Sequence, residues 1–523
     1  MANSKKVDSV KVRMYRHGFG DCFLLSFFSG DERIYTMLID CGIKYNTKSE
    51  TAPVSEVIAD LNKTLTPDGA PDPKLDVLVV THEHWDHVAF FHPTRGGTKN
   101  CFKDFDIGQI WLAWTENPDD KEAKIINSRL REGVAALGFA VEQLNHVKKD
   151  EVEQTTDLYF GMEAGEAREK FSESLDNILS FYGAAPTSKK EVSESGIKYK
   201  KNGRISSLTQ EAMENVANRF GRNSGVVKFF QPGTLVDKQL IPDGINIFVL
   251  GPPRNKMINK SNPSSGHNHE TYLGIDGFGM SSFVDAALAI KANAGGAKLE
   301  DSSPFGEGVG LNAKDAKKDR FFKNTYFEAK EGYRKIENTW LDITGQFALQ
   351  LDGAINNTSL VLAIELAESG KVLLFPGDAQ VGSWLSWHEY EWQVDLGKDS
   401  EGHPITKTYK AEDLLNKTVL YKVSHHGSHN ATITDKGLEM MTHPELVAMI
   451  PEKEDSYNGI LYKPLMKRLG ELCKGRVIVS ADKGHDPKDL KKKRPANLSS
   501  SEWSEFKQNL VVNPIYVEYS VVD

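Results

Sequence analysis

The segment VVTHEHWDHVAFF, residues 79–91, carries three histidines, a glutamate and an aspartate within six positions after an apolar run. His82 and His84 are two positions apart, so they point the same way in an extended segment. Asp86 and His87 follow directly. A turn after a strand could therefore bring two imidazoles to one metal ion and a carboxylate plus an imidazole to a second, because zinc, iron and manganese accept these ligands.

Two other readings of this segment fit less well. His82 and Glu83 begin like the helical zinc-protease pattern, but that pattern needs a second His where this chain has Asp86. The preceding VLVV also favours the end of a strand. A surface loop rich in histidine by chance is the other alternative, and it is improbable with only fifteen His in the chain.

Similar residue types follow three other apolar runs. YTMLID ends in Asp40, and KVLLFPGD ends in Asp378, whose two carboxylate oxygens could bind two cations at once. LYKVSHHGSHN carries His425 and His426 after a strand-like run. A lone Asp at a strand end is common, so Asp40 and Asp378 are informative only together with the histidine motifs.

Taken in order, these motifs resemble those of the metallo-β-lactamase superfamily. GFGDCFLLSF (18–27), NNTSLVLAIEL (356–366) and KVSHHGSHN (422–430) are similar to motifs in the hydrolase domain of bacterial DNA-uptake (competence) channel proteins, and phosphorylcholine esterases share similar endings. The resemblance covers residues 10–95, 245–252 and 340–482. It implies an α/β fold, a four-layer αββα sandwich with metals at one edge, here with a large, mostly helical insertion.

The resemblance also implies a site for two divalent metal ions, with zinc expected and manganese or iron as alternatives. The implied metal ligands are His82, His84, Asp86, His87, Asp378 and His426. Asp86 and His425 are the implied catalytic residues, where His425 would contact an oxyanion or protonate a leaving group. The opposite assignment of His425 and His426 stays open. Asp40 would orient a ligand, and Asn357 and Ser359 would line the pocket.

One position of the family pattern has no clear match in this chain. Many superfamily members use a further His between the first motif and the bridging Asp. The candidates are His92, His146, His267 and His269, and none of them follows a strand. The first metal site could therefore be incomplete, or the position could be filled near Asn357.

The function expected from these motifs is metal-dependent hydrolysis by a metal-bridged hydroxide, with phosphodiesters as the substrate. A nuclease or phosphodiesterase is the first hypothesis, with nucleic acid as one possible substrate. Hydrolysis of a small ester or lactone is the second. The third is a non-catalytic metal-binding module in a multi-protein system, with the insertion as the docking surface for a protein partner.

Strand-like and helical patterns show which elements must position these residues. Apolar runs bounded by Gly, Asp and charged residues predict strands near both ends of the chain, among them 10–15, 35–40, 75–80, 357–366 and 371–378, and 54–65 is predicted to be a helix. Helical spacing with polar stretches fills the middle. The predicted parts are 1–115 as the N-terminal half of the sandwich, 116–244 as a helical insertion, 245–340 as a strand plus a loop-rich insertion, and 341–523 as the C-terminal half.

Net charge, cysteine spacing and the length of apolar runs indicate which classes of protein are improbable. The formal net charge of −9 gives no general support for nucleic-acid binding, although a local basic cleft would be compatible with it. Four cysteines without C-x-x-C spacing argue against a secreted disulfide scaffold. No apolar run approaches the ~18 residues of a membrane span, and the first ten residues lack a signal peptide. We expect a soluble cytoplasmic protein without a membrane partner.

Overall fold

The structure is a computed structural model that describes most of the chain in twelve ranges. They are 5–44, 52–94, 100–146, 180–183, 198–199, 205–219, 226–260, 313–327, 351–430, 432–452, 461–480 and 486–523. The chain divides into two compact units. The first consists of residues 1–127, 208–274 and 353–523, and the second of 128–207 and 275–352.

The described strands are numbered along the chain. The first nine are β1 (Ser9–Tyr15), β2 (Phe23–Ser29), β3 (Glu32–Ile39), β4 (Lys74–Val79), β5 (Asp106–Ala113), β6 (Lys198–Tyr199), β7 (Ile205–Ser206), β8 (Val226–Phe230) and β9 (Ile245–Gly251). The others are β10 (Val361–Leu366), β11 (Val372–Phe375), β12 (Glu391–Lys398), β13 (Pro404–Lys410), β14 (Thr418–Lys422), β15 (Val447–Ile450), β16 (Val477–Val479), β17 (Leu510–Val512) and β18 (Tyr516–Val522).

The first unit contains two mixed sheets. The larger has eight strands in the order β17-β18-β1-β2-β3-β4-β5-β8, and the smaller has six in the order β16-β15-β14-β11-β10-β9. Parallel pairs run from β3 to β8 in the larger sheet and from β11 to β16 in the smaller, and the remaining pairs are antiparallel. β12–β13 and β6–β7 form separate two-stranded ribbons. These sheets and the helices confirm the predicted α/β class.

The described helices are also numbered along the chain. The α-helices are α1 (Val54–Leu65), α2 (Trp85–Val88), α3 (Lys121–His146), α4 (Leu208–Arg219), α5 (Ala313–Ala316), α6 (Arg320–Phe322), α7 (Val381–Ser386), α8 (Ala411–Asn416), α9 (Lys463–Leu472), α10 (Pro487–Lys492) and α11 (Ser500–Asn509). Short 3₁₀ turns occupy Ala89–Phe91, Trp114–Glu116, Lys256–Asn259, Trp387–Glu389, Ser424–Gly427 and Leu438–Met440, and a π turn occupies Lys323–Phe327.

The two sheets share one hydrophobic core. Alternate residues of each strand face it, as the two-residue period of a strand requires. In the larger sheet Val10 and Val12 of β1 belong to this core, and in the smaller sheet Leu362 and Ile364 of β10 do so. The shared core fixes which edge of each sheet lies beside the other, and so it positions the loops at those edges.

Helices cover the opposite face of each sheet. Leu38 of β3 lies in a second core cluster with Leu61 of α1 and with residues of α4. Tyr421 of β14 lies in a third cluster with Val381 of α7 and Leu469 of α9. α1 buries Val57, Ile58, Leu61 and Leu65, the spacing of one face of an amphipathic helix.

Four strands end beside one another with the residues that the sequence singled out. Asp40 follows β3 and the 82–87 segment follows β4, its parallel neighbour in the larger sheet. Asp378 follows β11 and the two histidines 425–426 follow β14, its parallel neighbour in the smaller sheet. Because parallel strands end at the same edge, each sheet delivers two of these segments to one edge.

Much of the predicted insertion lies outside the described residues. Within the range 116–244 the described parts include α3, α4 and β8, and β8 pairs with β5 at the edge of the larger sheet. The role of the insertion in binding a protein partner stays a prediction. Among the described residues, no helix is long and apolar enough to cross a membrane.

Candidate metal centre

Backbone hydrogen bonds hold the turn after β4 in place. This turn begins at β4 and leads into α2, which carries Asp86 and His87. The Asp21 N–H donates to the Asp86 carbonyl over 2.9 Å, and the Cys41 N–H donates to the His87 carbonyl over 2.8 Å. The loops after β1 and β3 therefore fix the backbone that presents both side chains.

Two glycines allow this close packing. A Cβ on Gly42 would lie 2.2 Å from the carbonyl carbon of Asp86 and 2.4 Å from the backbone nitrogen of His87. A Cβ on Gly20, whose φ is +147°, would lie 2.4 Å from the Gly42 oxygen. Both neighbours are backbone atoms that cannot rotate away, so these two positions require glycine.

Four buried side chains from three segments meet at this turn. One ligand atom from each of Asp86, His87, Asp378 and His426 lies within 4.8 Å of all the others. His426 Nε2 is 3.0 Å from Asp86 Oδ2 and 3.6 Å from Asp378 Oδ2, and His87 Nε2 is 3.2 Å from Asp378 Oδ2. The sequence had brought these residues together only by resemblance, and the structure places them in one group.

The dimensions and chemistry of this group fit a divalent metal ion. Ligand bonds to zinc of about 2.0–2.2 Å imply neighbouring ligand atoms about 3.3–3.6 Å apart in a tetrahedron. The three distances given above run from 3.0 to 3.6 Å, close to this range. Asp86 Oδ1 is buried and has no hydrogen-bond partner among the described residues. Two imidazole nitrogens and two carboxylate oxygens form a donor set that suits zinc, iron or manganese.

His82 and His84 lie directly beside this group. The rings of His82 and His87 have centroids 4.2 Å apart. His82 Nε2 lies 3.1 Å from His84 Nδ1, a separation that one metal ion could span, and both residues are buried. The Thr81 hydroxyl lies 3.0 Å from His82 Nδ1 and so helps to orient the ring. The pair offers two further imidazole nitrogens next to the four-residue group.

Asp40 orients His87 from the side of the ring opposite Asp378. His87 Nδ1 donates to Asp40 Oδ2 over 2.8 Å, which leaves Nε2 directed at Asp378. The two carboxylate oxygens of Asp40 also accept from the Thr81 N–H and hydroxyl, each over 2.7 Å. Asp40 itself has φ of 55°, a left-handed conformation that Asp tolerates better than most residues. A carboxylate behind a histidine in this way is the usual arrangement around metal ligands.

A buried lysine that the sequence analysis did not select lies behind Asp378. Lys422, at the end of β14, donates to Asp21 Oδ2 over 2.5 Å, to Asp378 Oδ1 over 3.2 Å and to the Gly377 carbonyl over 2.9 Å. The signal for Lys422 was a charged residue at the end of β14, next to apolar residues on both sides. The Gly-x-Gly-Asp opening was the signal for Asp21.

The two adjacent histidines have different surroundings. His425 and His426 both adopt left-handed backbone conformations, with φ of 42° and 51°, which are rare for residues other than glycine. His426 Nδ1 donates to the Pro451 carbonyl over 2.8 Å and directs Nε2 at Asp86. His425 lies outside the four-residue group. The strained turn therefore directs the two imidazoles to different places.

A chain of hydrogen bonds sets the tautomer of His425. The Ser428 hydroxyl donates to Asn430 Oδ1 over 3.0 Å, so it accepts from His425 Nδ1 over 2.8 Å. The Asn356 amide lies 3.4 Å from His425 Nε2. Nε2 is therefore the acceptor nitrogen of this ring, and the Asn356 amide donates to it.

Asn357 and Ser359 support the turn that carries Asp378. The Asp378 N–H donates to Ser359 Oγ, and the Gln380 N–H donates to Asn357 Oδ1, each over 3.1 Å. Asn357 also donates to the Lys260 carbonyl over 3.0 Å. In these contacts both side chains brace the backbone around Asp378.

The histidines of the site fall into two groups, one with a raised pKa and one with a lowered pKa. Burial alone would lower the pKa of His87 and His426, but neighbouring carboxylates, Asp378 first, raise it well above the usual range for His87 and to about 9 for His426. Burial lowers the pKa of His82 well below its usual range and that of His84 to about 4. Without metal, His87 and His426 therefore carry protons at neutral pH, whereas His82 and His84 are neutral.

The carboxylates of the group stay ionised. Burial alone would raise the pKa of both Asp378 and Asp86. The positive charges of His87, Lys422 and His426 instead lower the pKa of Asp378 well below its usual range. The charge on His87 and the contact with His426 likewise lower the pKa of Asp86. Burial would likewise lower the pKa of Lys422, yet Asp21 and Asp378 raise it. The site is thus a dense set of buried opposite charges, in which a divalent ion can replace imidazole protons.

Of the candidates for a further histidine, only His92 has a side chain that the structure describes, and it does not join this group. His92 is buried, but its Nε2 lies 3.2 Å from Glu211 Oε2. His267 and His269 lie outside the described residues, and the side chain of His146 does too.

No protein-family model matches this chain, and no curated protein is similar to it in sequence. The structure by itself shows that the chain is an α/β protein with two mixed sheets. It also shows a buried His/Asp cluster that could hold metal ions.

Proposed function

We propose that the chain is a metal-dependent hydrolase of the metallo-β-lactamase type, with phosphodiesters as its substrates and zinc as its preferred metal. The observation that carries this proposal is the grouping of Asp86, His87, Asp378 and His426, with His82 and His84 alongside. The grouping is supported by the order of the motifs in the sequence.

The arrangement of the sheets also supports a four-layer αββα sandwich. Two sheets share a core, and helices pack on their outer faces. In this proposal residues 1–115 and 341–523 supply the two halves of the sandwich, and the helical and loop-rich stretches 116–244 and 245–340 are inserted between them. The ends of β4, β11 and β14 bring the candidate ligands to one edge.

We assign each candidate ligand to one of two metal positions. Asp86, His87 and His426 would hold one ion and His82 with His84 the other, and Asp378 would contribute through Oδ2, the oxygen that faces the imidazoles. Divalent ions bound there would polarise water and neutralise the negative charge of a phosphodiester. Asp40 would hold His87 in the required orientation through the Nδ1–Oδ2 hydrogen bond.

The remaining steps belong to the chain's own side chains. Asp86 Oδ1, which has no hydrogen-bond partner among the described residues, would orient the attacking water and accept its proton. His425, whose pKa burial lowers, is neutral, and its acceptor nitrogen Nε2 would exchange the long contact with the Asn356 amide for a proton. It would take up the proton that the attacking water has given to Asp86 and deliver it to the leaving oxygen, which leaves both side chains as they began. A phosphodiester carries a negative charge and a neutral ester does not. Buried cations stabilise negative charge strongly, so this site should favour phosphodiesters over neutral esters.

Metal analysis and substrate assays on one preparation test this proposal. Protein purified without chelators should contain zinc and should hydrolyse bis-p-nitrophenyl phosphate, and single-stranded DNA would test nucleic acid as the polymer substrate. Asp378→Ala should abolish both metal binding and turnover. Asp395→Ala, in the exposed β12–β13 ribbon, is the matched control and should change neither. Turnover restricted to lactones would redirect the proposal to small esters, and bound metal without any turnover would support a binding module.

A further inference from the structure

Lys422 is a buried cation that contacts one candidate metal ligand, Asp378, and two oxygens outside the ligand group. Its side chain is 1% exposed, and its ammonium contacts Asp21, the Gly377 carbonyl and Asp378. An ammonium group has three donors and no acceptor, so these three oxygens satisfy it completely. Burying a lysine is costly unless it is paired in this way, which points to a role that an apolar residue could not fill.

Lys422 contacts only one of the two oxygens of the Asp378 carboxylate. Lys422 Nζ lies 3.2 Å from Oδ1. Oδ2 faces the imidazoles, 3.2 Å from His87 Nε2 and 3.6 Å from His426 Nε2. The oxygen that contacts the ammonium is therefore not the oxygen that faces the other candidate ligands.

We propose that Lys422 determines metal selectivity by reserving Oδ1 of Asp378, so that this carboxylate offers only Oδ2 to a metal ion. The inference rests on the metal site of the proposed function. With one oxygen from Asp378, the group supplies two nitrogens and two oxygens, the four ligands that zinc prefers. With both oxygens available, the ligand number would rise towards the oxygen-rich, six-coordinate sites that suit manganese.

A second acidic cluster supports this role for the ammonium. Asp21, Asp40 and His87 also lie close enough together to hold a cation. However, Asp21 Oδ2 already pairs with Lys422, and His87 Nδ1 already donates to Asp40. The cluster is thus neutralised by a fixed cation from the chain itself. It serves to hold Lys422 and His87 in place.

The ratio of zinc to manganese affinity separates this inference from a simple charge effect. Both ions carry two positive charges, so a change in the local charge shifts both affinities alike and cancels in the ratio. A change in the number of oxygens that Asp378 offers alters the ratio, because the two metals prefer different ligand numbers.

The test uses the double variant Asp21→Asn with Lys422→Met. It removes one charge of each sign, and Met keeps the length of the lysine stem, so it avoids an unpaired buried charge. Zinc and manganese affinities are measured by chelator competition in the wild type and the variant. We expect the zinc-to-manganese affinity ratio to fall by about tenfold or more, the size of effect that outer-shell partners exert.

The matched control is the pair Arg13→Met with Asp60→Asn. This ion pair joins β1 to α1 at 2.7 Å, and the other contacts of Arg13 within the described part of the chain are with Thr64, Tyr516 and Glu518. Its removal should leave the affinity ratio unchanged. An unchanged ratio in the Asp21/Lys422 variant, with both metals still bound, would overturn the inference.

Cobalt substitution of the wild type gives a second readout if the variant does not fold. A four-coordinate site should give strong visible absorption, and weak absorption typical of six ligands would overturn the inference. Failure of the wild type to bind any metal would instead overturn the proposed metal site. Metal binding without hydrolysis would overturn the proposed activity and leave the selectivity test in place.

Discussion

Asp86 Oδ2 and His426 Nε2 lie 3.0 Å apart, although 340 positions separate the two residues in the chain. One follows β4 of the larger sheet and the other follows β14 of the smaller. Their contact therefore depends on the core that the two sheets share, and it places donor atoms from both sheets in one buried group.

The two adjacent histidines should separate metal binding from turnover. We expect His426→Ala to weaken metal affinity by more than about 100-fold, the upper end of the loss seen for outer-shell partners. His425→Ala should leave affinity nearly unchanged and reduce phosphodiester turnover by about 10²–10⁴-fold, as for a general acid or base. Metal titration and steady-state kinetics measure both. Because both residues have left-handed backbones, each variant is the control for backbone strain in the other. The opposite pattern would reverse their roles.

Gly42 should be essential to the metal centre without contacting a metal. Gly42→Ala places a Cβ 2.2 Å from the carbonyl carbon of Asp86, so the turn must move. We expect the free energy of unfolding to fall by about 1–3 kcal/mol or more and metal affinity to fall with it. Chemical denaturation and metal titration measure the two effects.

Gly470→Ala in α9 is the control for this substitution. A Cβ there meets no atom within 4 Å, so the variant should gain about 0.5–1 kcal/mol in stability and keep its metal affinity. Normal metal binding by Gly42→Ala would show that the turn tolerates displacement.

Asp40 should act on metal binding through His87. Asp40→Asn keeps a residue that tolerates the left-handed backbone but puts an amide where donors from Thr81 and His87 point. We expect metal affinity to fall about 10–100-fold. Competition with a chelator measures the change.

Asp76→Asn is the matched control for Asp40→Asn. Asp76 also joins β3 to β4, where its Oδ2 accepts from the Thr36 N–H and hydroxyl over 2.8 Å. This variant should lose stability to a similar extent and retain metal affinity. An equal loss of affinity in both variants would mean that Asp40 acts only on the stability of the sheet.

Metal uptake should release protons at neutral pH. In the metal-free protein His87 has a strongly raised pKa and His426 a pKa of about 9, so both imidazoles are protonated at pH 7. Only the neutral imidazole binds metal, so uptake should release about two protons and affinity should rise with pH. The contribution of His426 to this rise ends above about pH 9.

Calorimetry in two buffers with different ionisation enthalpies measures this proton release. The protonated His426 also stabilises the metal-free fold below its unfolded pKa, and that contribution is lost as the pH rises through about 9. Binding heats that are independent of the buffer at pH 7 would contradict the electrostatic picture of the site.

The strand-rich ends of the chain could be predicted because their patterns are local. Alternation and flanking Gly or Asp placed strands near 10–15, 35–40 and 75–80, and helical spacing placed α1 at 54–65, as observed. The predicted strands at 357–366 and 371–378 are shorter in the structure, since β10 begins at Val361 and β11 ends at Phe375. Gly377, with φ of 57°, turns the chain there to present Asp378.

Other features depend on contacts that no local pattern encodes. A single charged residue in β14 does not reveal that Asp21, far away in the chain, is its partner. The membership of β8 in the larger sheet depends on pairing with β5, and its five residues carry no sign of it. The relation of Lys422 to the two oxygens of Asp378 likewise needed coordinates.

Anomalous diffraction at the zinc absorption edge would show directly whether these residues bind a metal ion. Crystals of protein purified without chelators and supplied with zinc should give a strong anomalous peak among Asp86, His87, Asp378 and His426. Zinc found only elsewhere, or no anomalous peak despite ordered side chains at these four positions, would show that the four residues do not form a metal site.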